Sequence, residues 1–382
     1  MAYGIVNADQ IGTSVAGSNL GAGNASLLKN RLINGAMTVS QRGTSFTNPN
    51  GYTLDRWYFA TGSATATITQ SSTAPTGFAN SLYYNQGATT WSPSGAQWGG
   101  LVQSIEGFNT YDLGFGTASA KTVTLSFWVQ ASVTGTYAVT LNNATGASTA
   151  TTSATRCYVA TFTVSAANTW EYKTITIAGD TTGNWTGSTN SGALTIVFNA
   201  GSSSTYTTAT TNAWQAGSYL QTSSTVSLNA NANSTLYVSG VQLEVGSSAT
   251  GFEYVNYQTS LNNCMRYFEQ WNGGSQYAPM GIGQIGNGNA FAYVAVPLVY
   301  KRTVPTVTLS SLAGGTIFSA YGTNASGGSF PWSGNLSVDT TMTGNLGVDI
   351  QNTLGNSTAG GAGTCVFMIL RANQYIQFSA EL

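Results

Sequence analysis

The 382-residue chain contains no histidine. With it go the commonest general base, the commonest zinc ligand and every Ser-His or Cys-His nucleophile pair. No G-x-S-x-G stretch is present either, so hydrolysis by a serine or cysteine nucleophile is not expected. Charge is nearly as scarce. The 11 basic and 12 acidic residues make up 6% of the chain, against about 25% in ordinary globular proteins. They are scattered singly, leaving no basic footprint for nucleic acid and no polybasic patch for an anionic membrane. No apolar run approaches the length of a membrane-spanning helix, so no membrane insertion is expected. The opening residues, MAYGIVNADQIGTSVAGSN, have neither a basic n-region nor an apolar h-region, and no secretory signal is expected. Cys157, Cys264 and Cys365 are odd in number and widely spaced; they read as reduced, buried small hydrophobes of a protein made in a cytoplasm. No cofactor or metal is expected.

What is abundant is glycine, with 46 residues, and aromatics, with 9 Trp, 20 Tyr and 15 Phe. The rings supply burial that a solvated tail lacks, and the net charge of -1 argues equally against disorder. Alternating apolar positions recur: Val123, Leu125, Phe127 and Val129; Tyr137, Val139 and Leu141; Tyr158, Ala160, Phe162 and Val164. Gly, Asn and Thr clusters separate these runs. Short strands joined by such turns predict an all-β protein, with a jelly-roll-like antiparallel β-sandwich over residues 30–255. In Leu236–Val245 the simple alternation puts Leu236, Val238, Gly240 and Gln242 on one face and Tyr237, Ser239, Val241 and Leu243 on the other. After a junction within 252–261, strand signals resume and predict a second β-sandwich domain over 256–382. Between Leu261 and Trp271 a short helix and a strand fit equally well. Residues 1–29 hold too few apolar side chains to build a core alone, and read either as an extended arm that needs a partner to order or as a frayed terminus.

Several stretches carry a resemblance. NRLINGAM at 30–37, Gln41-Arg42, YTLDRW at 52–57, GDTTGNW at 179–185, VQLEVGSSATGFEYV at 241–255, RYFE at 266–269 and the terminal SAEL together resemble bacteriophage tail-fibre and virion structural proteins. The resemblance implies a virion protein assembled in the host cytoplasm, attached to other virion proteins through the arm and touching host cell-surface polysaccharide; a homotrimer is expected because an extended fibre with weak sites gains by repetition. A head fibre or capsid decoration protein, and a polysaccharide-degrading tailspike, are the alternatives it leaves open. Read physically, the alternation Leu54, Arg56, Tyr58 suggests a strand, in which Asp55 and Arg56 face opposite ways. Each then needs its own partner, and Arg42 and Glu253 are the expected ones for structural ion pairs.

Little else could do chemistry. Glu106 with Asp112, Glu171 with Asp180 and Glu244 with Glu253 are the carboxylate pairs a glycosidase would need, but a catalytic role is not expected. Gly281-Ile-Gly-Gln-Ile-Gly286 matches G-x-G-x-x-G by letter, yet lacks the strand before, the helix after and the later acid, and reads as a loop. Residues 181–243 carry no charge and suit neutral ligands or neighbouring subunits. Trp128 lies opposite the apolar row of its strand, either packed or exposed; an exposed ring beside amides suits a sugar, with its apolar C–H faces and hydroxyls. Trp91, Trp98, Trp185, Trp214 and Trp332 are placed on loops. Glycan or partner contacts are therefore expected from Trp128, Trp185, Trp214, Tyr277 and Trp332, with Tyr277 and Trp332 as the distal anchors.

Overall fold

The computed structural model describes residues 28–273, 278–286, 291–310, 318–323, 329–333, 336–339, 344, 347–353, 365–370 and 374–382. The attachment arm expected over 1–29 lies outside them apart from its last two residues. Two compact units result, one reaching Ser260 and one running from Leu261 to Glu381, with Leu382 counted in the first.

Thirteen strands build the first unit: β1 (Ser45–Thr47), β2 (Gly51–Tyr52), β3 (Tyr58–Ala60), β4 (Thr67–Ser71), β5 (Ser81–Asn85), β6 (Trp98–Glu106), β7 (Val123–Ala131), β8 (Gly135–Asn142), β9 (Arg156–Val164), β10 (Glu171–Ile177), β11 (Gly192–Ser202), β12 (Trp214–Ala216) and β13 (Thr235–Val245). They pair antiparallel in two sheets, β1-β4-β5-β13-β7-β10 and β12-β9-β8-β11-β6-β3-β2. This is the jelly-roll-like β-sandwich expected. Its core is made by alternate residues of both sheets, as period two requires. Val123, Leu125, Phe127 and Val129 of β7 are all buried there. Phe127 meets Phe162 and Phe198 edge-on, each at 5.0 Å between ring centres. Burying each such side chain contributes about 1.5–3 kcal/mol.

β13 departs from simple alternation. Its register to β7 shifts between Ser239 and Gln242, and Gly240 takes φ +61°. A Cβ there would lie 2.6 Å from the Phe78 ring. The extra residue is a β-bulge. It brings Leu236, Val238, Val241 and Leu243 all to the core, where alternation had split them between two faces. The uncharged run 181–243 is only partly explained by burial, since 181–191 and much of 204–233 stay exposed or half-buried. It contains β11, buried at all but its last residue, and most of β13, each lying inside its own sheet.

The two N-terminal motifs meet in one hydrogen-bonded brace. Leu54–Arg56 is a turn between β2 and β3, not the strand expected, with Arg56 at φ +71° and the Trp57 N–H donating to the Leu54 carbonyl. Asn34, itself at φ +58°, donates through Nδ2 to the carbonyls of Val39 and Asp55, both at 2.9 Å, and accepts the Val39 N–H at 3.0 Å. Trp57, fully buried, returns its indole N–H to the Asn34 carbonyl at 3.1 Å. Asn30 accepts the Leu243 N–H and donates to the Val241 carbonyl, reaching β13. Gln103 of β6 takes both the N–H and the carbonyl of Ile33, reaching the other sheet. One irregular segment thus ties both sheets together.

Of the expected partners for Asp55 and Arg56, Glu253 is the one corrected. Asp55 accepts the backbone and side-chain N–H groups of Gln41, each at 2.6 Å. Arg56, only 1% exposed, donates to the Ser104 carbonyl at 2.6 Å. Arg42 lies over the Tyr52 ring at 5.3 Å. Glu253, expected opposite Arg56, instead receives the N–H groups of Leu28 and Asn30.

α1 (Tyr257–Met265), which starts in the first unit and ends in the second, and β14 (Phe268–Asn272) of the second divide the ambiguous stretch between helix and strand. β15 (Ala278–Gly286), β16 (Phe291–Pro297), β17 (Thr306–Leu309), β18 (Phe318–Thr323), β19 (Ser329–Ser333), β20 (Leu336–Asp339), β21 (Gly347–Thr353), β22 (Cys365–Leu370) and β23 (Tyr375–Ser379) follow. They form a three-stranded sheet, β14-β23-β17, and a seven-stranded one, β19-β18-β22-β15-β16-β21-β20. The Gly281–Gly286 stretch is therefore strand β15, bulged between Pro279 and Gly281, and not a loop. Within this unit Arg302 donates to the carbonyls of Ala380 and Glu381, both at 2.8 Å, which anchors the SAEL ending. Lys301 is fully buried and donates to Glu269 at 2.6 Å.

Candidate functional site

Pairing of β3 with β6 sets Tyr58 opposite Val102 and Ala60 opposite Gly100. Period two then puts Tyr58, Ala60, Trp98 and Gly100 on the side of this sheet facing away from the core. Trp91, on the connection from β5 to β6, folds its indole against that edge. The ring lies so close to Gly62 that a Cβ there would come within 2.6 Å of it. Between these residues is a cleft of about 300 Å³, lined by the rings of Tyr58, Trp91 and Trp98 and by Asn50, Thr61, Gln97 and Ser148. No charged side chain lines it.

Hydrogen bonds hold the walls. The Trp91 N–H donates to the Asn229 carbonyl at 2.7 Å, and the Ser203 N–H to the Gln97 carbonyl at 3.1 Å. The Tyr206 hydroxyl reaches the Ala96 carbonyl at 3.2 Å. Tyr58 donates to Asn50 Oδ1 at 3.1 Å and meets Tyr52 edge-on at 5.4 Å. Burial pushes the Tyr58 hydroxyl above the usual tyrosine range, so it stays neutral. Flat apolar ring faces beside amides and hydroxyls, fixed before any ligand arrives, match the C–H faces and hydroxyls of a sugar.

No family model and no curated protein matches the chain. Solved structures show weak likenesses. The chain is similar to the enzymatically active domain of tailspike protein 4 of bacteriophage CBA120, at 11% identity and a TM-score of 0.30 over 57% of this chain and 21% of that one. It is similar to the family 11 carbohydrate-binding module of a cellulosomal cellulase of Clostridium thermocellum, at 12% identity and a TM-score of 0.27 over 54% and 96%. It is also similar to an N-terminal CBM22 tandem domain from Paenibacillus barcinonensis, at 10% identity and a TM-score of 0.27 over 94% and 100%. The chain thus spans about a fifth of the tailspike domain. Scores of this size carry no argument about this chain.

The sites expected from the sequence are dispersed. Trp185 and Trp214 do not border the cleft. They pile edge-on at 5.3 Å, with Phe115 against both at 4.9 and 5.6 Å, and Tyr158 against Trp214 at 5.4 Å. Their N–H groups are used internally, on Asp180 Oδ2 and the Ala178 carbonyl. This half-buried cluster packs against the core. Trp128 stands on the outer side of the other sheet, 5.3 Å from Tyr172. Tyr277 and the side chain of Trp332 lie outside the described residues; the Trp332 backbone belongs to β19, paired with Ala320, and not to the loop expected. Trp91 was legible as a loop-borne ring; Trp98, expected on a loop, opens β6, as Trp214 opens β12. Tyr58 and Asn50 were not legible, because nothing local marks which side of a three-residue strand faces outward.

Most of the candidate carboxylates serve structure. Asp112 takes a two-pronged bond from Arg31, at 2.9 and 2.8 Å. Glu171 accepts Lys173 and two backbone N–H groups. Glu244 accepts the N–H and hydroxyl of Thr250, with Lys29 at 3.7 Å. Asp180 receives the Arg156 fork at 2.8 and 2.7 Å. Burial pushes the Asp180 carboxyl up, but the bonds from Arg156, Thr182 and Trp185 and the Arg156 charge outweigh it and hold it below the usual aspartate value. A carboxyl depressed in the folded state adds stability above its unfolded value of about 3.9 and loses it as pH falls through the folded value. Asp180→Asn is therefore expected to cost about 1.5–3 kcal/mol at neutral pH. It should also flatten the acid limb of a melting-temperature profile, the measurement that checks it.

Proposed function

We propose that the chain is a non-enzymatic bacteriophage virion protein, a short tail fibre or adhesin, whose first unit holds neutral glycans of the host surface. The cleft carries this reading: three aromatic rings, amides and hydroxyls line it without one charge. Desolvating an acidic sugar there, with no cation to meet it, costs several kcal/mol, whereas a neutral sugar finds a partner for each of its faces. The virion assignment is supported by the sequence resemblance, and the homotrimer by the avidity that repetition gives to weak sites. Attachment through residues 1–29 belongs to the same proposal.

Titration of the full chain with neutral linear hexasaccharides and with polygalacturonate is the test. Binding of the neutral sugars alone is expected, with their length unchanged after incubation. Binding of polygalacturonate alone would sink the neutral-glycan reading, and shortening of any chain would return the tailspike alternative. Labelling on intact virions distinguishes tail from head.

A further inference from the structure

The sheet opposite the cleft presents a second surface of related chemistry. On its outer side, register puts Tyr237 of β13 beside Tyr83 of β5 and Gln130 of β7, and Tyr172 of β10 beside Trp128. Tyr83 and Tyr237 stack at 4.4 Å, Trp170 meets Tyr237 edge-on at 6.0 Å, and Trp128 lies 5.3 Å from Tyr172. Tyr172 is 43% exposed and the other four rings are half-buried. Every other outward position of β4, β5, β7 and β10, and of β13 before its bulge, is Ser, Thr, Asn or Gln. Gln130 donates to the Asn168 carbonyl, while its Oε1 is covered and has no hydrogen-bond partner.

From this face we infer a second glycan site, for an extended neutral chain lying flat across the strands. Neighbouring strands stand about 4.8 Å apart, close to the length of one sugar residue, so a chain crossing them meets rings repeatedly. The half-buried Thr67, Thr69 and Thr235 and the exposed Thr174, all outward on this sheet, offer hydroxyls beside the rings for its polar edges. The outward polar positions of these strands before the bulge carry no charge, as a neutral sugar needs. The site goes beyond the cleft: the two lie on opposite sheets and share no residue.

Calorimetric titration of the full chain with linear hexasaccharides of glucose, mannose, galactose and xylose tests it. Two classes of site are expected for the best ligand. Tyr172→Thr, at an edge strand where Thr fits the pleat, should weaken one class by about tenfold, and Trp98→Ala the other. One class only, weakened by Trp98→Ala and untouched by Tyr172→Thr, would overturn the second site and leave the cleft standing. No binding by any hexasaccharide would overturn both. A change of mass in light scattering on Tyr172→Thr would assign the face to a second copy of the chain and overturn the inference.

Discussion

Asn34→Ala is expected to lower the stability of the first unit by about 3–5 kcal/mol, more than most single substitutions. The side chain holds two carbonyls and one N–H in a buried segment, and truncation leaves all three unpaired. Each unsatisfied group costs about 1–3 kcal/mol where water cannot reach it. Alanine also tolerates the left-handed backbone at φ +58° less well than asparagine, whose side chain bonds locally. Scanning calorimetry of the full chain should show the first unit's transition fall by about 10 °C. A shift within about 2 °C would mean that the brace is redundant.

Glu269→Leu is expected to be as damaging in the second unit. Lys301 is 0% exposed and donates to Glu269 and to the Met265 carbonyl. Burial pushes the Lys301 ammonium below the usual lysine range, while the Glu269 hydrogen bond and charge pull it back up. Removing the acid strands a buried cation, at a cost of about 3–5 kcal/mol, whereas replacing both partners by apolar residues is close to neutral. The sign with pH follows. A lysine depressed in the folded state binds fewer protons than in the unfolded chain, so stability rises with pH between its folded value and the unfolded value of about 10.4. Loss of the acid widens that window downward. Glu269→Leu should therefore regain stability toward alkaline pH, and Glu269→Leu with Lys301→Met should melt near the parent. Melting curves across pH check both; a double variant as weak as the single one would contradict the account.

The sandwich was legible because its strands alternate cleanly: Val123 to Val129 alone predicts a β7 with one buried row, and the structure buries that row. Where reading failed, backbone geometry intervened. Gly240 adds a residue and reverses the parity of β13 beyond it. Arg56 sits in the left-handed region, so Leu54–Arg56 turns where alternation suggested a strand. G-x-G-x-x-G correctly suggested no nucleotide loop, but β-pairing took up Gly281–Gly286 all the same. The candidate site was half legible. A ring in a Gly- and Ser-rich stretch, such as Trp91 or Trp98, can be singled out locally, but Trp185 and Trp214 in similar surroundings stack on one another instead. Only the fold tells these cases apart. Tyr58 joins the cleft through a pairing with β6 some forty residues away, which no local pattern contains.

The most direct measurement is the affinity of the full chain and of Trp98→Ala for the neutral hexasaccharide that binds the cleft. Trp98 is half-buried at the first position of β6, so its loss leaves the core row intact. Affinity about tenfold lower with an unchanged melting temperature is the expected result. Equal affinity in both proteins would contradict the claim that this cleft is where the chain meets its glycan.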